Sequence, residues 1–384
     1  MSPSRRSKNS PAGRKKPVLI DRRLASHYDW TLCAIAVGLV FIGVLTIYSA
    51  TYSVTEHRAS GLALKQFYWF LIGVAAMVSA STFDYHRLDR IAYPFYALTL
   101  ALLAVVFFVG HTGGGSQRWI NLGLFTLQPS EIAKLAIVLA LTKYLQYDEP
   151  TRGFRLRDLW APFLLVAPMV VLTLIQPDLG TAIIIVVVFF SIILMGGLRL
   201  RSLFYLGAAG VALMPIAYHF LKPYQRNRIW TFLNPDLDPL GAGYHVIQSK
   251  IAVGSGRLLG KGFLNGTQNR LDFLPAQHTD FIFAVFAEEW GLIGCAVLLA
   301  LYFALLIVSL GVVAHAKDRI GALLAFGVVS IFFWQVVINV AMVTGLMPIV
   351  GIPLPLLSYG GSSMVTIMTA VGLLINVSMR RFTF

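Results

Sequence analysis

The residues best suited to chemistry lie where a polar loop runs directly into a long apolar segment. The loop ends in His278, Thr279 and Asp280, and Glu288 and Glu289 follow inside the apolar run. An ionised carboxylate near hydrocarbon costs about 3 kcal/mol or more unless it faces a cavity or a partner. Asp280 is therefore a candidate to accept a proton at a loop–helix junction. The alternative is a helix cap, in which Thr279 or Asp280 accepts backbone N–H groups, but a cap explains neither His278 nor the glutamates.

A second set of polar residues lies between Arg118 and Lys134. Arg118 and Trp119 follow a run of glycines, which lets the backbone approach a ligand closely and places a cation beside an aromatic face. A flexible loop with an interfacial aromatic residue is the alternative. Pro129-Ser130 suits a helix start. Glu131 and Lys134, spaced i, i+3, can form an ion pair that keeps both inside the next apolar run.

Two interruptions rich in proline and glycine divide later apolar runs. Residues 176–180 read Gln-Pro-Asp-Leu-Gly, which a simple turn explains, although an ionisable Asp178 at membrane depth favours a functional role. Residues 345–363 contain Pro348, Pro353 and Pro355, so they cannot form one continuous helix. Irregular backbone at membrane depth must be buried in protein or line a cavity.

The segment 222–279 carries seven basic residues before Asp280. This excess suits an anionic ligand such as a lipid diphosphate, and anionic lipid headgroups are the alternative. The apolar spacing of residues 241–256 predicts a helix lying on the membrane surface. The glycine-rich run 254–262 matches no Walker pattern and follows no strand, so we do not expect a nucleotide site there.

Composition places all these motifs in a membrane protein. The 384 residues are 57% hydrophobic and only 12% charged, whereas a soluble domain averages about 25% charged. We expect an all-α polytopic protein with about ten transmembrane helices: residues 1–29 form a disordered basic tail, and 30–384 form one domain. Cys33 and Cys295 lie in apolar runs and predict neither a disulfide nor a metal site. The apolar runs lie at 30–50, 67–82, 91–109, 129–147, 160–175, 180–197, 203–221, 281–314, 319–344 and 361–379.

The charges of the connecting loops predict the orientation. Arginines and lysines concentrate in alternate connections, on the same side as the basic tail. The positive-inside rule then places both termini in the cytoplasm and makes 222–279 a large extracytoplasmic loop before the eighth helix. All the motifs described above fall on that outer side or just beneath it.

Four of these motifs, in this order, resemble those of the SEDS (shape, elongation, division, sporulation) family. They are Gly-Ser-Gln-Arg-Trp with Gln-Pro-Ser-Glu-Ile-Ala-Lys, the turn at Asp178, Leu-Pro-Ala-Gln-His-Thr-Asp-Phe-Ile-Phe, and Pro-Leu-Leu-Ser-Tyr-Gly-Gly-Ser-Ser. Ala287-Glu-Glu-Trp-Gly291 resembles the rod-shape branch more than the division branch. One departure is Ala276, where relatives usually have Glu, so the role of that Glu does not carry over.

The resemblance implies a peptidoglycan glycosyltransferase that polymerises lipid II for cell-wall elongation and rod shape. Diphosphate is already a good leaving group, so one carboxylate base suffices, and we assign that role to Asp280. Positive charge would come from Arg118, Lys134, the loop arginines or a bound divalent cation, Mg²⁺ or Mn²⁺; no cofactor is certain. The expected substrate-binding residues are Gln117, Arg118, Trp119, Glu131, Lys134, Asp178, Arg226, Lys250, His278, Thr279 and Ser358.

The resemblance also implies a location and a partner. We expect a multi-pass protein of the bacterial plasma (inner) membrane with its active site on the extracytoplasmic side. A class B penicillin-binding protein would supply transpeptidation, since nothing here resembles the serine acyl-transfer motifs. Two alternatives are a lipid II flippase and a non-catalytic scaffold of the elongation machinery. The expected docking face consists of small residues: Gly291, Gly294, Ala296, Gly327 and Ser330.

Overall fold

The computed structural model describes most of the expected domain and almost none of the basic tail. The described residues are 28–53, 58–59, 61–113, 116–121, 123, 126–146, 154–220, 223–234, 242–270 and 277–381. The predictions for residues 1–27 and for Ala276 therefore lie outside the described residues.

Helices dominate the architecture. In chain order they are α1 (Trp30–Ala50), α2 (Leu62–Thr82), α3 (Tyr85–Val109), α4 (Pro129–Leu145), α5 (Trp160–Ile175), α6 (Leu179–Met195), α7 (Leu200–Phe220), α8 (Pro223–Leu233), α9 (Ala242–Ser255), α10 (Thr267–Arg270), α11 (Ile282–Ala314), α12 (Arg319–Val343) and α13 (Gly361–Arg380). A 3₁₀ turn, Leu156–Leu159, precedes α5.

Each of the ten apolar runs forms a long helix, so the expected all-α polytopic class is confirmed at that level. Among the described residues, seven helices are long and apolar enough to cross a membrane: α1, α2, α3, α5 with its preceding turn, α11, α12 and α13. The number of spans by this measure is thus lower than the ten expected. One reason is that α4 and α6 have 17 residues each, which is the lower limit for spanning about 30 Å of hydrocarbon.

Aspartates begin several of these helices. The side chain of an aspartate accepts a hydrogen bond from an N–H of the first turn, and this satisfies a group that has no partner within the helix. Asp29 begins α1 in this way, Asp84 begins α3, Asp178 begins α6 and Asp318 begins α12. The short polar interruptions in the sequence therefore fix where the apolar runs become helices.

The core of the bundle lies along α4, α12 and α13, whose side chains are buried on nearly every face. The outer helices α1, α2, α3 and α11 instead leave many large apolar side chains exposed at the perimeter, among them Phe41, Phe108 and Phe303. Exposed apolar side chains on helices of this length suit contact with lipid.

The described residues between 111 and 127 form short strands and not the flexible loop that was the alternative interpretation of this region. Strands β3 (His111–Gly113), β4 (Ser116–Asn121) and β5 (Thr126–Leu127) form an antiparallel sheet in that order, after a small hairpin of β1 (Tyr52–Ser53) and β2 (Arg58–Ala59). Trp119 lies opposite His111, and Ile120 lies opposite Leu127. Glycines drew our interpretation towards a loop, but the alternating side chains of β4 suit a strand with one buried face.

Three of the five residues of the expected docking face are buried inside the bundle, whereas Gly294 is half-buried and Ala296 is exposed. Gly327 faces inward, where a Cβ atom would lie 2.5 Å from Val138 of α4. Ser330 and Gly291 are also buried in the bundle. Small residues here allow close packing inside one chain, so most of this set is not available to a partner helix.

Candidate active site

A cavity of about 650 Å³ opens at the end of the bundle where the polar motifs meet. The β4–β5 sheet, the turn before α6, α8, the turn before α11 and the irregular segment before α13 all contribute to its wall. Its lining comprises Trp69, Arg118, Trp119, Thr126, Gln128, Glu131, Asp178, Thr181, Arg228, His278, Thr279, Asp280, Val350, Gly351, Pro353, Tyr359, Gly360, Gly361, Ser362 and Ser363. Motifs that are far apart in sequence therefore share one polar chamber.

Asp280 is partly buried in the turn just before α11 and faces this cavity. The residue in the N-cap position of α11 is Phe281, whose side chain makes no capping hydrogen bond. Neither Thr279 nor Asp280 occupies the N-cap position of this helix. The carboxylate of Asp280 is instead directed to the chamber, as a proton acceptor would need to be.

The backbone around Asp280 is held by side chains from distant elements. Asn339 of α12 donates from Nδ2 to the carbonyl oxygens of Asp280 (2.9 Å) and Ile352 (2.7 Å). Ser358 donates from Oγ to the carbonyl of Thr279 at 2.7 Å. These bonds join the turn before α11 to the irregular segment before α13, and they fix the position from which Asp280 enters the cavity.

Gln66 of α2 completes this support. Its Nε2 donates to the Ser358 carbonyl at 3.1 Å, and its Oε1 accepts from Gly360 N–H at 3.2 Å. The N–H of Tyr359 donates to the His278 carbonyl at 2.9 Å. Irregular backbone at this depth is thus satisfied by protein groups, as the absence of water in hydrocarbon requires.

The electrostatics of the cavity make Asp280 a better base than an exposed aspartate. Removal from water raises the pKa of Asp280 to about 6; the Arg118 guanidinium opposes this rise, the Asp178 carboxylate adds to it, and Arg228 opposes it. A base whose pKa lies near the working pH transfers protons efficiently. Burial also lowers the pKa of His278, whose ring packs edge-on against Tyr359 at 5.8 Å.

Asp178 is the centre of a buried polar cluster beside Asp280. Its carboxylate accepts from Ser130 Oγ at 2.9 Å, Gln128 Nε2 at 3.3 Å and Thr181 Oγ1 at 3.0 Å. Arg118 lies 3.6 Å from the same carboxylate. Asp178 therefore joins the starts of α4 and α6 as well as lining the cavity.

Arg118 also stabilises the turn before Asp178. It donates to the carbonyl oxygens of Gln176 and Pro177. One guanidinium thus both supports the interruption and supplies positive charge to the chamber.

Glu131 and Lys134 form the expected ion pair on α4, with 2.8 Å between Nζ and Oε2. Both side chains are almost completely buried, and Glu131 reaches the cavity wall while Lys134 is not among the lining residues. The pair explains how two charges persist in an apolar helix.

Five of the expected substrate-binding residues are not found at the cavity wall: Lys134, described above, and Gln117, Arg226, Lys250 and Ser358. Arg226 donates to the carbonyls of Tyr218 and His219 at the end of α7. Lys250 is exposed, and its stem passes over Gly345. Ser358 supports the wall from behind. The backbone of Gln117 pairs with Thr112 in the sheet, and its side chain lies outside the description.

Arg228 is a cavity cation besides Arg118, and the sequence did not distinguish it from the other loop arginines. It lies two positions after Arg226 on α8, and positions two apart on a helix do not share a face. A helical reading of residues 223–233 would have shown that only one of these arginines could face the site.

The described residues show no group of three or more His, Cys, Asp or Glu side chains that could hold a metal ion. The cavity carboxylates of Glu131 and Asp178 already have protein partners.

A second, apolar cavity of about 360 Å³ adjoins the first and shares Trp69 and Ser362 with it. The remaining lining residues lie on α2, α3, α4, α13 and β5: Ile72, Phe95, Leu127, Ile132, Leu135, Val365, Thr366 and Thr369. A polar chamber beside an apolar one suits an amphiphilic ligand with a charged end and a hydrocarbon chain.

Comparison with known proteins assigns this architecture to a family. Residues 29–382 match the model of the FtsW/RodA/SpoVE family, described as cell cycle proteins. The chain is 39% identical over 361 residues to the peptidoglycan glycosyltransferase MrdB of Escherichia coli, covering 92% of this chain and 94% of that protein. It is 36% identical over 432 residues to the peptidoglycan glycosyltransferase RodA of Treponema pallidum, covering 94% and 99%.

Solved structures agree with this result. A chain of a peptidoglycan synthase complex that coordinates polymerization and crosslinking has a TM-score of 0.79 and 32% identity, covering 93% of this chain and 99% of that one. The rod shape determining protein RodA of Thermus thermophilus has a TM-score of 0.69 and 30% identity, covering 93% and 98%. With a family model matching nearly the whole chain and relatives above 30% identity, the chain belongs to the FtsW/RodA/SpoVE family.

Proposed function

We propose that this protein is a peptidoglycan glycosyltransferase that polymerises lipid II into glycan strands for cell-wall elongation. The observation that carries the proposal is Asp280, a carboxylate with a raised pKa at a cavity that also contains Arg118 and Arg228. The relatives named above as peptidoglycan glycosyltransferases support the reaction class.

In the proposed reaction, a sugar 4-hydroxyl of the incoming lipid II attacks the anomeric carbon of the growing chain. The new glycosidic C–O bond forms as the bond to undecaprenyl diphosphate breaks, and the hydroxyl proton passes to Asp280. Arg228 and Arg118 stabilise the negative charge that develops on the departing diphosphate. A bound Mg²⁺ or Mn²⁺ would supply the same stabilisation from the diphosphate side. Asp280 then releases its proton to water.

The adjoining apolar cavity supports a lipid-linked substrate. We infer that the isoprenoid chain lies between α2, α3, α4 and α13 while the diphosphate and sugars occupy the polar chamber. Trp69 and Ser362, shared by both cavities, would then lie near the junction of the chain and the diphosphate. A soluble sugar donor, which has no hydrocarbon chain, would not occupy this apolar cavity.

The arrangement of charge supports placing the cavity outside the bacterial plasma membrane. Basic residues lie at the opposite end of the bundle, including Arg319, which donates to the Gly196 carbonyl, and Arg380 near Asp84. By the positive-inside rule that end is cytoplasmic, together with both termini. The substrate would therefore be used on the extracytoplasmic side.

Polymerisation of fluorescent lipid II by the purified protein tests the proposal. We expect glycan strands from the wild type and none from Asp280→Asn, because the amide preserves the shape but cannot take a proton. Folding of the variant is checked by its thermal melt in detergent. Retention of even about a fifth of wild-type polymer would contradict the role of Asp280 as base. Scrambling of lipid II in vesicles without polymer would instead identify a flippase, and neither activity would point to a scaffold.

A further inference from the structure

Helix α11 is broken nine residues after it begins. Gly291 has φ 64° and ψ −163°, which are not helical values. Residues 282–290 therefore form a separate short helix, and Asp280 lies two residues before it. The orientation of this short helix determines how Asp280 enters the cavity.

The break is filled by residues 256–262, which we call the inserted segment. The N–H groups of Leu292 and Ile293 donate to the carbonyls of Arg257 (2.9 Å) and Leu258 (3.1 Å). The N–H groups of Lys261 and Gly262 donate to the carbonyls of Glu288 and Glu289, both at 3.0 Å. The inserted segment thus satisfies backbone groups on both sides of the break.

Glycines make this crossing as close as it is. A Cβ atom on Gly256 would lie 2.0 Å from the Ala287 carbonyl oxygen, and one on Gly260 would lie 2.1 Å from that of Glu289. Gly260 and Gly291 also have positive φ values of 79° and 64°, which side chains other than glycine adopt at a cost. The glycine-rich run 254–262 therefore serves helix packing, which explains why it does not resemble a phosphate loop.

Glu288 joins the short helix to the segment beyond the crossing. Its side chain is completely buried and is not part of the cavity lining. Glu288 Oε1 accepts from Lys261 Nζ at 2.6 Å and from the N–H and Oγ1 of Thr267, both at 2.9 Å. The N–H of Gln268 donates to the same carboxylate at 3.3 Å. Glu289 is bonded on the other side to Ser49 of α1.

We propose that Glu288 is a positioning residue for Asp280: by binding Lys261 and the start of α10, its carboxylate fixes the short helix 282–290, and with it the approach of Asp280 to the substrate. Asn339 and Ser358 hold the backbone just before the short helix, and Glu288 holds its C-terminal end. A displacement of about 1 Å at a reacting group can cost a hundredfold in rate. A buried carboxylate that touches no substrate therefore affects the rate if it fixes the position of Asp280. This inference deepens the proposed function and rests on it.

The test compares Glu288→Gln with Asp318→Asn in lipid II polymerisation. Asp318 is a matched control, because it accepts hydrogen bonds from Tyr85, His86 and Gly321 at the end of the bundle opposite the cavity. For Glu288→Gln we expect kcat to fall at least about tenfold with KM within about threefold, since the lost interaction orients the base without binding substrate. We also expect the acid limb of the pH–kcat profile to move, because Asp280 sits differently in its cavity. Asp318→Asn should leave both quantities, per folded molecule, unchanged.

A second pair of variants keeps the test decisive if Glu288→Gln does not fold. Lys261→Met removes the charged partner of Glu288, and the Lys261 side chain itself is 27% exposed. Its control is Lys65→Met, because Lys65 of α2 is an exposed lysine at the cavity end of the bundle. For Lys261→Met we expect a smaller loss of kcat than for Glu288→Gln and a shift of the acid limb in the same direction. Lys65→Met should change neither quantity. Folded variants with wild-type kcat, or with lower kcat and an unmoved acid limb, would overturn the positioning role. A wild type that makes no glycan would instead refute the proposed function.

Discussion

Asp280 owes its proposed reactivity to its surroundings more than to its position in the chain. Burial disfavours its charged form, and the nearby guanidinium groups prevent the pKa from rising further. The carboxylate is thus ionised at neutral pH but remains basic enough to take a proton. An exposed aspartate, with a pKa near 4, would be a much weaker base.

This balance predicts a shift in pH dependence when one cation is removed. Polymerisation by the wild type should rise with pH through about 6 and then level off, because Asp280 must be ionised to act. In Arg228→Gln a positive charge that lowers the pKa of Asp280 is lost, so the acid limb should move to higher pH. The measurement is the initial rate of polymerisation between about pH 4.5 and 8.5.

Arg226→Gln is the matched control, since Arg226 lies on the same helix but binds the carbonyls at the end of α7. Its acid limb should coincide with that of the wild type. Equal shifts in both variants would mean that overall charge, not proximity to Asp280, sets the profile.

A site residue was predictable from the sequence when its own chemical type marks it as unusual. It was not predictable when its role depends on which face of a helix it occupies. Asp280, Asp178, Trp119 and Glu131 could be named because ionisable or aromatic groups in apolar runs need a reason to be there. Arg228 and Arg226 could not be separated by charge alone. Asn339 gave no signal in the sequence, because its importance comes from two carbonyl groups that only the fold brings to it.

The long helices of the bundle follow directly from apolar runs and their aspartate caps. The break at Gly291 does not, because the flanking residues are apolar on both sides and the partners of the broken backbone come from residues 256–262. The β3–β5 sheet was also missed, since strands this short are specified by pairing with one another. Sequence patterns therefore located the elements, while the distant pairings that shape the cavity required the structure.

At the scale of one helix, the ion pair of α4 predicts strong non-additivity. Removing Glu131 or Lys134 alone leaves a buried charge without compensation, which should cost roughly 3–5 kcal/mol, whereas removing both should cost less than the sum. Thermal melts in detergent of Glu131→Gln, Lys134→Met and the double variant measure this. If the three shifts add strictly, the two side chains do not interact in the folded protein.

At the scale of the whole molecule, the fold gathers polar groups at one end of a bundle and leaves the opposite end basic. Interruptions in the apolar pattern at residues 176–178, 277–281 and 350–360 all meet at the cavity, and each has a backbone carbonyl bound by a side chain from a distant part of the chain. Such groups would be costly if they were exposed to lipid. The bundle therefore concentrates its irregular backbone where a substrate can use it, beside an apolar space suited to a lipid chain.

The cavity and the sequence together predict that this chain makes glycan without peptide cross-links. The chamber is equipped for one transfer between sugars, and the sequence has no motif for serine acyl transfer to peptides. We therefore expect glycan made by the purified chain to contain no peptide cross-links after digestion with a muramidase. Addition of a class B penicillin-binding protein should produce cross-linked fragments, and co-purification should show that the two proteins bind. The similarity to a chain of a complex that coordinates polymerization and crosslinking supports this pairing. A penicillin-treated partner, which can bind but not cross-link, separates the two effects: polymer should persist while cross-links disappear. Cross-links formed by the purified chain alone would contradict the assignment of a single reaction to this cavity.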